Sequence, residues 1–391
     1  MQAMAVTAWD LSDVYRPGLV HDPVPCFHAP GWLPAAREIL DSLSGGQIAL
    51  AGDVPVICHR AGSHAGVLQL LRDVGYRAPT RLLQYETQSE YAGILRGLES
   101  DGARLAVAHV HAENALDANA YWIPRDLLCR LNNKGELGRI ALRESLPRRE
   151  CVDAAEFAAR PAPDGALPLA VKVASPLSSG AGFGVKLCRT PEDWACAQRD
   201  FRSSPRIVIE EWLEIRTIHC VQFIVHPESV PRFIGSAEQV ANDDGGYAGN
   251  WITARERGPD AAVSIARSAA QSATEMGYLG ICGFDIVVCA DESMRIIDAN
   301  FRFNGSSLPL SLRPWMRDRG ADLARSGFWS HDGPFVRLAE VVRAANRRGD
   351  FMPFSLWDGG HSPSRVSGIV VGANREEIAA RIDRLQSEGL G

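Results

Sequence analysis

A chain of 391 residues is too long for one compact core, and two or three domains of ordinary size are expected. Hydrophobic residues at 46% and charged residues at 23% describe a soluble globular protein, and a net charge of -6 excludes a nucleic-acid binder that works through a general basic field. No apolar run approaches the ~20 residues of a membrane span. Nine cysteines without a CxxC pair, behind a first stretch with no secretory pattern, point to free thiols and a cytoplasmic location.

The first 45 residues are rich in proline and aromatic residues, with one helical stretch at 33–43 stopped by Gly45 and Gly46. The apolar runs QIALAG (47–52), VPVICHR (54–60), RLLQY (81–85) and ARLAVAHV (103–110) follow. They alternate with helical spacing in AGVLQLLRDVG (65–75) and SEYAGILRGLES (89–100). Strands alternating with helices predict a small parallel α/β domain, bounded at 1–118. GSHAG (62–66) does not match the dinucleotide fingerprint and reads as a glycine-bearing turn.

From 121 to 141 the pattern is a helix broken around Leu131–Gly135, with Lys134 in a turn among two Asn and a Gly. Beyond a Pro- and Ala-rich connector, Leu169–Ala174 reads as a strand with Lys172 flanked by valines. A lysine inside an apolar run needs a partner, and a phosphate is a natural one. Next comes SSGAGFG (178–184), then VKLC as a second strand. Backbone N–H groups in such a glycine-rich hairpin turn can lie over phosphates, and the strand that follows sets it apart from the P-loop.

PEDWACAQRDF (191–201) is a helix with a proline start. RIVIEEWLEI (206–215) is an apolar strand ending in Glu210, Glu211 and Trp212. It reads either as a hinge whose backbone meets an adenine edge or as a buried strand running into a surface turn. TIHCVQFIV (217–225) and PRFIGSAEQV (231–240) continue an antiparallel sheet. ANDDGGYAGNWI (241–252), polar and glycine-rich, reads as a lid, and Ala261–Gly277 as a helix.

CGFDIVVCADESMRIIDANFRFNGSS (282–307) holds two apolar strands joined by a short polar turn. Asp298 and Asn300 stand two apart at the exit of the second strand and so share a face, and pairing as a hairpin lets Asp285 join them. Oxygen ligands few in number, beside Arg302, suit a magnesium ion that also holds phosphate oxygens. In isolation the pattern reads more readily as an ordinary hairpin with solvated acids, and only the rest of the chain shifts that balance. LPLSLRPWM and ADLARSGFW read as short helical pieces, 336–349 as a helix, 364–373 as a strand, and 375–389 as a closing amphipathic helix.

The order of these pieces says more than any one of them: a strand lysine, a Gly-rich strand–turn–strand, an apolar strand ending in Glu-Glu-Trp-Leu, then GFDIVV…RIIDANFRFNG. Over roughly residues 120–310 this resembles the ATP-grasp superfamily, which includes biotin carboxylases, D-alanine ligases and other carboxylate–amine ligases. Within it, the N-terminal domain and the phrases WIPRDLL, LNNK, GYAGNW and FRFNGSS look most like the pheganomycin-type peptide ligases of natural-product pathways. The resemblance implies an α/β N-terminal domain followed by an α+β ATP-grasp fold, two lobes clasping ATP, with a small lobe at 119–205 and a large lobe at 206–391. It also implies ATP and Mg²⁺, transfer of the γ-phosphate to a carboxylate, attack of an amine on the acylphosphate, and release of ADP and phosphate.

Carried over by position, Lys134 and Lys172 resemble the two nucleotide-phosphate lysines, and Ser178, Ser179, Gly180 and Gly182 the flexible phosphate loop. Glu210, Glu211 and Leu213 correspond to the adenine hinge, with Glu210 or Glu211 pointing donors and acceptors toward the base. Asp285 and Asp298 correspond to the magnesium ligands, with Asn300 beside them, and Asp298 departs from the more frequent Glu. Arg302 matches the arginine that binds the reacting carboxylate and phosphoryl group. The implied partners are a small-molecule carboxylate and an amine, from an amino acid or peptide, with no nucleic acid and no membrane. A carrier-protein thiol is an alternative acceptor, and a homodimer is left open. The competing reading from another class is an ATP-binding protein without turnover, against which the intact Lys172, Asp285, Asp298, Asn300 and Arg302 set argues.

Overall fold

The computed structural model describes residues 6–25, 37–77, 79–176, 184–242, 246–255 and 258–391. Its first layer is a parallel sheet of β1 (Leu19–Asp22), β2 (Val56–His59), β3 (Leu82–Tyr85) and β4 (Arg104–Val107), ordered β3-β2-β1-β4. The helices Ala65–Asp73 and Gln88–Ser100 connect these strands. His64 and Thr87 start them by accepting hydrogen bonds from Gly66 and Glu90 N–H groups. The sequence pattern misses β1 because its last two residues are His21 and Asp22. Both are buried, and each meets a distant group: His21 Nδ1 lies 3.1 Å from the Ala106 carbonyl, and Asp22 accepts from the Tyr91 hydroxyl at 2.8 Å as well as from the nearby Val24 N–H at 3.1 Å.

A second, antiparallel sheet contains β5 (Arg149–Asp153), β6 (Leu169–Ala174), β7 (Val185–Cys188) and β8 (Arg206–Glu211), in the order β5-β8-β6-β7. The helices Ala154–Ala159 and Pro191–Asp200 cover one face, and Phe157, Trp194, Val171 and Ile207 form a core of their own there. Charged β5 carries little strand signal and is held by pairing with β8. Since β8 lies between β5 and β6, residues 206–211 sit in this sheet, and we place the division between lobes after 211 rather than at 205.

The largest element is an eight-stranded antiparallel sheet. Its strands are β9 (Ile215–Val225), β10 (Arg232–Ala241), β11 (Tyr247–Thr253), β12 (Gly280–Cys289), β13 (Met294–Asn300), β14 (Leu323–His331), β15 (Phe351–Trp357) and β16 (Ser364–Gly372). They run in the order β13-β12-β9-β10-β11-β14-β16-β15. Two expectations fail here. Half of the supposed lid, from Tyr247 onward, is β11, inside the sheet, and ADLARSGFW is strand β14 rather than a helix. The glycine at 249, which suggested a loop, instead permits close strand approach: its φ is +120°, and a Cβ there would collide with the Ser326 carbonyl. Before β11, Asn242 and Gly246 exchange hydrogen bonds, and 243–245 lie outside the described residues. Strand β15 was also unread because Pro353 interrupts it. As the edge strand it tolerates a residue without an N–H, and the register is irregular there.

The helix Asp260–Glu275 packs on β9 and β12 through buried Ala262, Ala266, Ala269, Ala270 and Ala273, whose small side chains let it lie close to the sheet. No helix among the described residues is long and apolar enough to cross a membrane, and every cysteine among them is a free thiol. The N-terminal domain meets the rest around Phe303, whose ring lies 6.0, 6.3 and 5.5 Å from those of Trp9, Tyr15 and His21.

At the far end, Asp350 is 5% exposed and gathers Arg348 (2.8 Å), Arg381 (3.4 Å) and Arg384 (3.3 Å), tying the last helix to the helix Phe335–Arg348. Asp350→Ala removes the shared acceptor of three guanidinium groups and should cost about 3 kcal/mol or more. Urea denaturation midpoints check this, and a midpoint within error of wild type would show that the cluster is merely solvated charge.

Candidate active site

The site begins with a hairpin register. β12 and β13 pair so that Asp285 stands directly opposite Asp298, and Gly283 opposite Asn300. The joining turn is closed by Asp291, which accepts from the Ser293 N–H (3.0 Å) and hydroxyl (2.6 Å). Two carboxylates facing each other repel, and removal from water disfavours both charges. Burial pushes the Asp285 carboxyl up to about 6, with the Asp298 charge adding to the effect, while Gln239 Nε2 donates to Asp285 Oδ1 at 2.8 Å. Burial also works against charge at Asp298. There Lys134, Lys172 and Arg302 prevail and hold the carboxyl below its ordinary range.

These cations come from separate parts of the chain. Lys134 follows the helix Arg125–Leu131 and opens the short 3₁₀ turn Lys134–Arg139, where Asn133 caps the Gly135 N–H. Its ammonium contacts Asp298 Oδ2. Lys172 points out of β6, is buried, and lies 2.6 Å from Glu210 Oε2 while donating to the Ile297 carbonyl at 2.9 Å. The lysine inside an apolar strand thus has a protein partner, Glu210, in addition to any phosphate it holds. Arg149 Nη1 stands 3.5 Å from the same glutamate.

That pairing corrects the expected role of the hinge glutamates. The Glu210 carboxylate is 3% exposed and committed to Lys172, and Glu211 accepts from the Arg148 N–H (2.7 Å) and Nε (2.6 Å). Neither carboxylate is free to meet a base, so any such contact falls to the backbone. Leu213 follows β8, half-buried. The expected phosphate loop, Ser178, Ser179, Gly180 and Gly182, lies outside the described residues.

Arg302 is buried at the exit of β13, and its Nη1 donates to Asn132 Oδ1 at 2.8 Å. The 301–307 segment is held by amide and hydroxyl groups. Asn304 Oδ1 accepts from Gln222 Nε2 (2.7 Å) and the Ser306 N–H (3.0 Å), Ser307 donates to Gln222 Oε1 (2.9 Å), and Ser306 donates to Asn250 Oδ1 (3.1 Å). Lys134, Lys172, Asp285, Asp298 and Arg302 therefore meet around one strand end, with Asn300 beside them. Sequence reasoning missed Asn132, Arg149, Gln222, Gln239 and Asn250. The signal for Gln222 was the one that exposed Lys172: a polar residue inside an apolar strand.

No group of three or more His, Cys, Asp or Glu side chains among the described residues is arranged to hold a metal. The Asp285–Asp298 pair with Asn300 offers two carboxylates and a carboxamide oxygen, an all-oxygen set of the kind magnesium accepts alongside phosphate and water. The mutual repulsion of the pair is what a cation would relieve.

Two family models match the chain: residues 147–300 match "L-aspartate--L-methionine ligase, ATP grasp", and residues 10–129 match "L-aspartate--L-methionine ligase N-terminal domain". Among solved structures, an L-amino acid ligase from Bacillus licheniformis is similar at 14% identity and TM-score 0.56, over 96% of this chain and 98% of its own. The biotin carboxylase–β,γ-ATP complex from Campylobacter jejuni is similar at 12% identity and TM-score 0.58, over 95% and 92%. An N5-carboxyaminoimidazole ribonucleotide synthetase bound to ADP gives 14% and 0.58, over 95% and 97%. These likenesses show the fold.

The Asp285 environment has a measurable sign. Its carboxyl titrates at about 6 in the folded chain and near 3.8 when unfolded, so between those limits the folded state binds more protons. The metal-free protein should lose stability as pH rises through that window and then level off. Asp285→Asn removes this slope, so in EDTA the variant should gain on wild type between about pH 4 and pH 6. Urea midpoints at several pH values check this. A difference that stays constant with pH would return the Asp285 carboxyl to its ordinary range.

Proposed function

Because the chain belongs to the ATP-grasp superfamily and is a carboxylate–amine ligase of it, we propose that it joins the carboxylate of one amino acid to the amine of another through an acylphosphate, converting ATP to ADP and phosphate. The single observation that carries this reading is the meeting of Lys134 and Lys172 with the Asp285–Asp298 pair: one lysine touches Asp298, and the other reaches the carbonyl next to it. Cations for phosphate oxygens and carboxylates for a metal must share one cleft if a nucleotide is to be held and its end group transferred.

In this reading Lys134 and Lys172 hold phosphate oxygens, and Lys134 leaves Asp298 to do so. Asp285, Asp298 and Asn300 would hold magnesium. When bound, the metal supplies positive charge to the oxygens of the transferring phosphoryl group. Arg302 orients the reacting carboxylate and offsets charge that develops on it. The backbone of 211–213 reads the base, since the neighbouring carboxylates are already paired. A polar segment held by neutral amides (Gln222, Asn250, Asn304) lies beside Arg302 and shapes the substrate end without adding a competing charge.

L-Aspartate and L-methionine are the first pair to test, because both matching models are named for the ligase that joins them. That naming also favours a free amino-acid amine over a carrier-protein thiol as acceptor. The natural-product setting is proposed on the WIPRDLL, LNNK, GYAGNW and FRFNGSS phrases.

ADP release should require both amino acids, with dipeptide formation seen by mass spectrometry. Release of AMP and pyrophosphate, or of ADP with no amino-acid dependence across a pairwise screen, would end the proposal. Asp298→Asn should stay folded and lower turnover by ~10²-fold or more, the scale expected when a charge stabiliser at the transferring group is lost. Full activity in that variant would remove the metal assignment.

A further inference from the structure

Arg302 presents a problem that the site itself does not solve. A guanidinium has five N–H donors and no acceptor, and this one is buried within the field of two carboxylates. Burial works against its charge, and Asp298 and Asp285 support it. Left to that field alone, the side chain would swing onto the acids and neutralise them. Among the described residues the acceptor the structure gives it is elsewhere: Asn132 Oδ1, at 2.8 Å from Nη1.

The same oxygen accepts from the Phe301 N–H at 3.1 Å, the first backbone donor past the end of β13. Two donors converging on one atom identify it as the carbonyl oxygen of the amide. The Asn132 Nδ2 donates to the Leu128 carbonyl at 3.0 Å, so the orientation of the carboxamide is set by the helix it caps. Two residues on, Lys134 meets Asp298. One short turn therefore holds the β13 exit on both sides, the arginine by a neutral acceptor and the aspartate by a cation.

We propose that Asn132 is a positioning residue for Arg302. Its amide fixes the direction of the guanidinium without cancelling the charge, so the cation is presented to an incoming carboxylate instead of to Asp298. An aspartate at this position would keep the hydrogen bond but cancel the charge, and an alanine would release both. This inference rests on the reading of Arg302 given above, and it needs a test that separates the two.

The test uses the full chain with ¹⁵N-labelled arginine, the Arg302 Nη–Hη signal being assigned by its loss in Arg302→Lys. Wild type and Asn132→Asp should show a protected Hη, and Asn132→Ala should exchange it with water about tenfold faster or more while other arginines are unchanged. In ADP-release assays with L-aspartate and L-methionine, or the pair found by the screen, Asn132→Ala should lower kcat by ~10- to 10²-fold, as for a misplaced reacting group, with KM for ATP within about twofold. Asn132→Asp should instead raise KM for the carboxylate substrate. Unchanged Hη exchange in Asn132→Ala would overturn the proposal. So would a kcat loss matched by an equal loss of folded protein in urea titration, which marks a structural cap only. A wild-type enzyme that turns over no amino-acid pair sinks the ligase reading, while the Hη exchange still decides whether Asn132 holds Arg302.

Discussion

Two carboxylates placed opposite each other on neighbouring strands repel, and the whole arrangement around β12 and β13 answers that repulsion. The register of the hairpin leaves no freedom: residue 285 faces residue 298, and the pleat turns both to the same side. In water the pair would be tolerable. Half-buried between a small sheet and a large one, it needs cations, and the chain brings them from both before and after the hairpin. Lys134 arrives from a 3₁₀ turn, Lys172 from the middle of a strand in another sheet, and Arg302 from just past the strand end.

The requirement for cations explains why three sheets must be docked. The N-terminal domain seats Trp9, Tyr15 and His21 around Phe303 and so fixes the segment that carries Arg302. The small sheet delivers Lys172 only because β8 lies next to β6, where Glu210 can shadow the lysine. The large sheet provides the acids and, through Gln222, Gln239 and Asn250, a set of neutral hydrogen-bonding groups around them. Neutral groups suit that place: they orient without adding charge to a cleft already crowded with it.

Much of this was legible from residue order. Lys172, Asp285, Asp298 and Arg302 were readable because a charged side chain inside or at the end of an apolar run is costly unless it has work or a partner. What stayed hidden was decided by tertiary pairing. Glu210 looked available for a base because nothing local announces that β6 and β8 are neighbours. The glycine at 249 looked like a loop and proved to be what lets β11 lie against β14. Strands β1, β5 and β15 were obscured by His21 and Asp22, by charged residues and by Pro353, each acceptable only where a partner or an edge makes it so. Asn132 sat in view, two residues before a lysine that drew the attention. Its importance depends on a contact 170 residues away in the chain.

The Lys134–Asp298 and Lys172–Glu210 contacts have a consequence for the end of a catalytic cycle. On the proposed reading, as the products depart one lysine can fall back on an aspartate and the other already has its glutamate, so neither lysine is stranded in the vacated cleft. The protein thus carries its own internal counterions. Discharge of a nucleotide held there would not need to wait for bulk salt or solvent to flood in and screen bare ammonium groups.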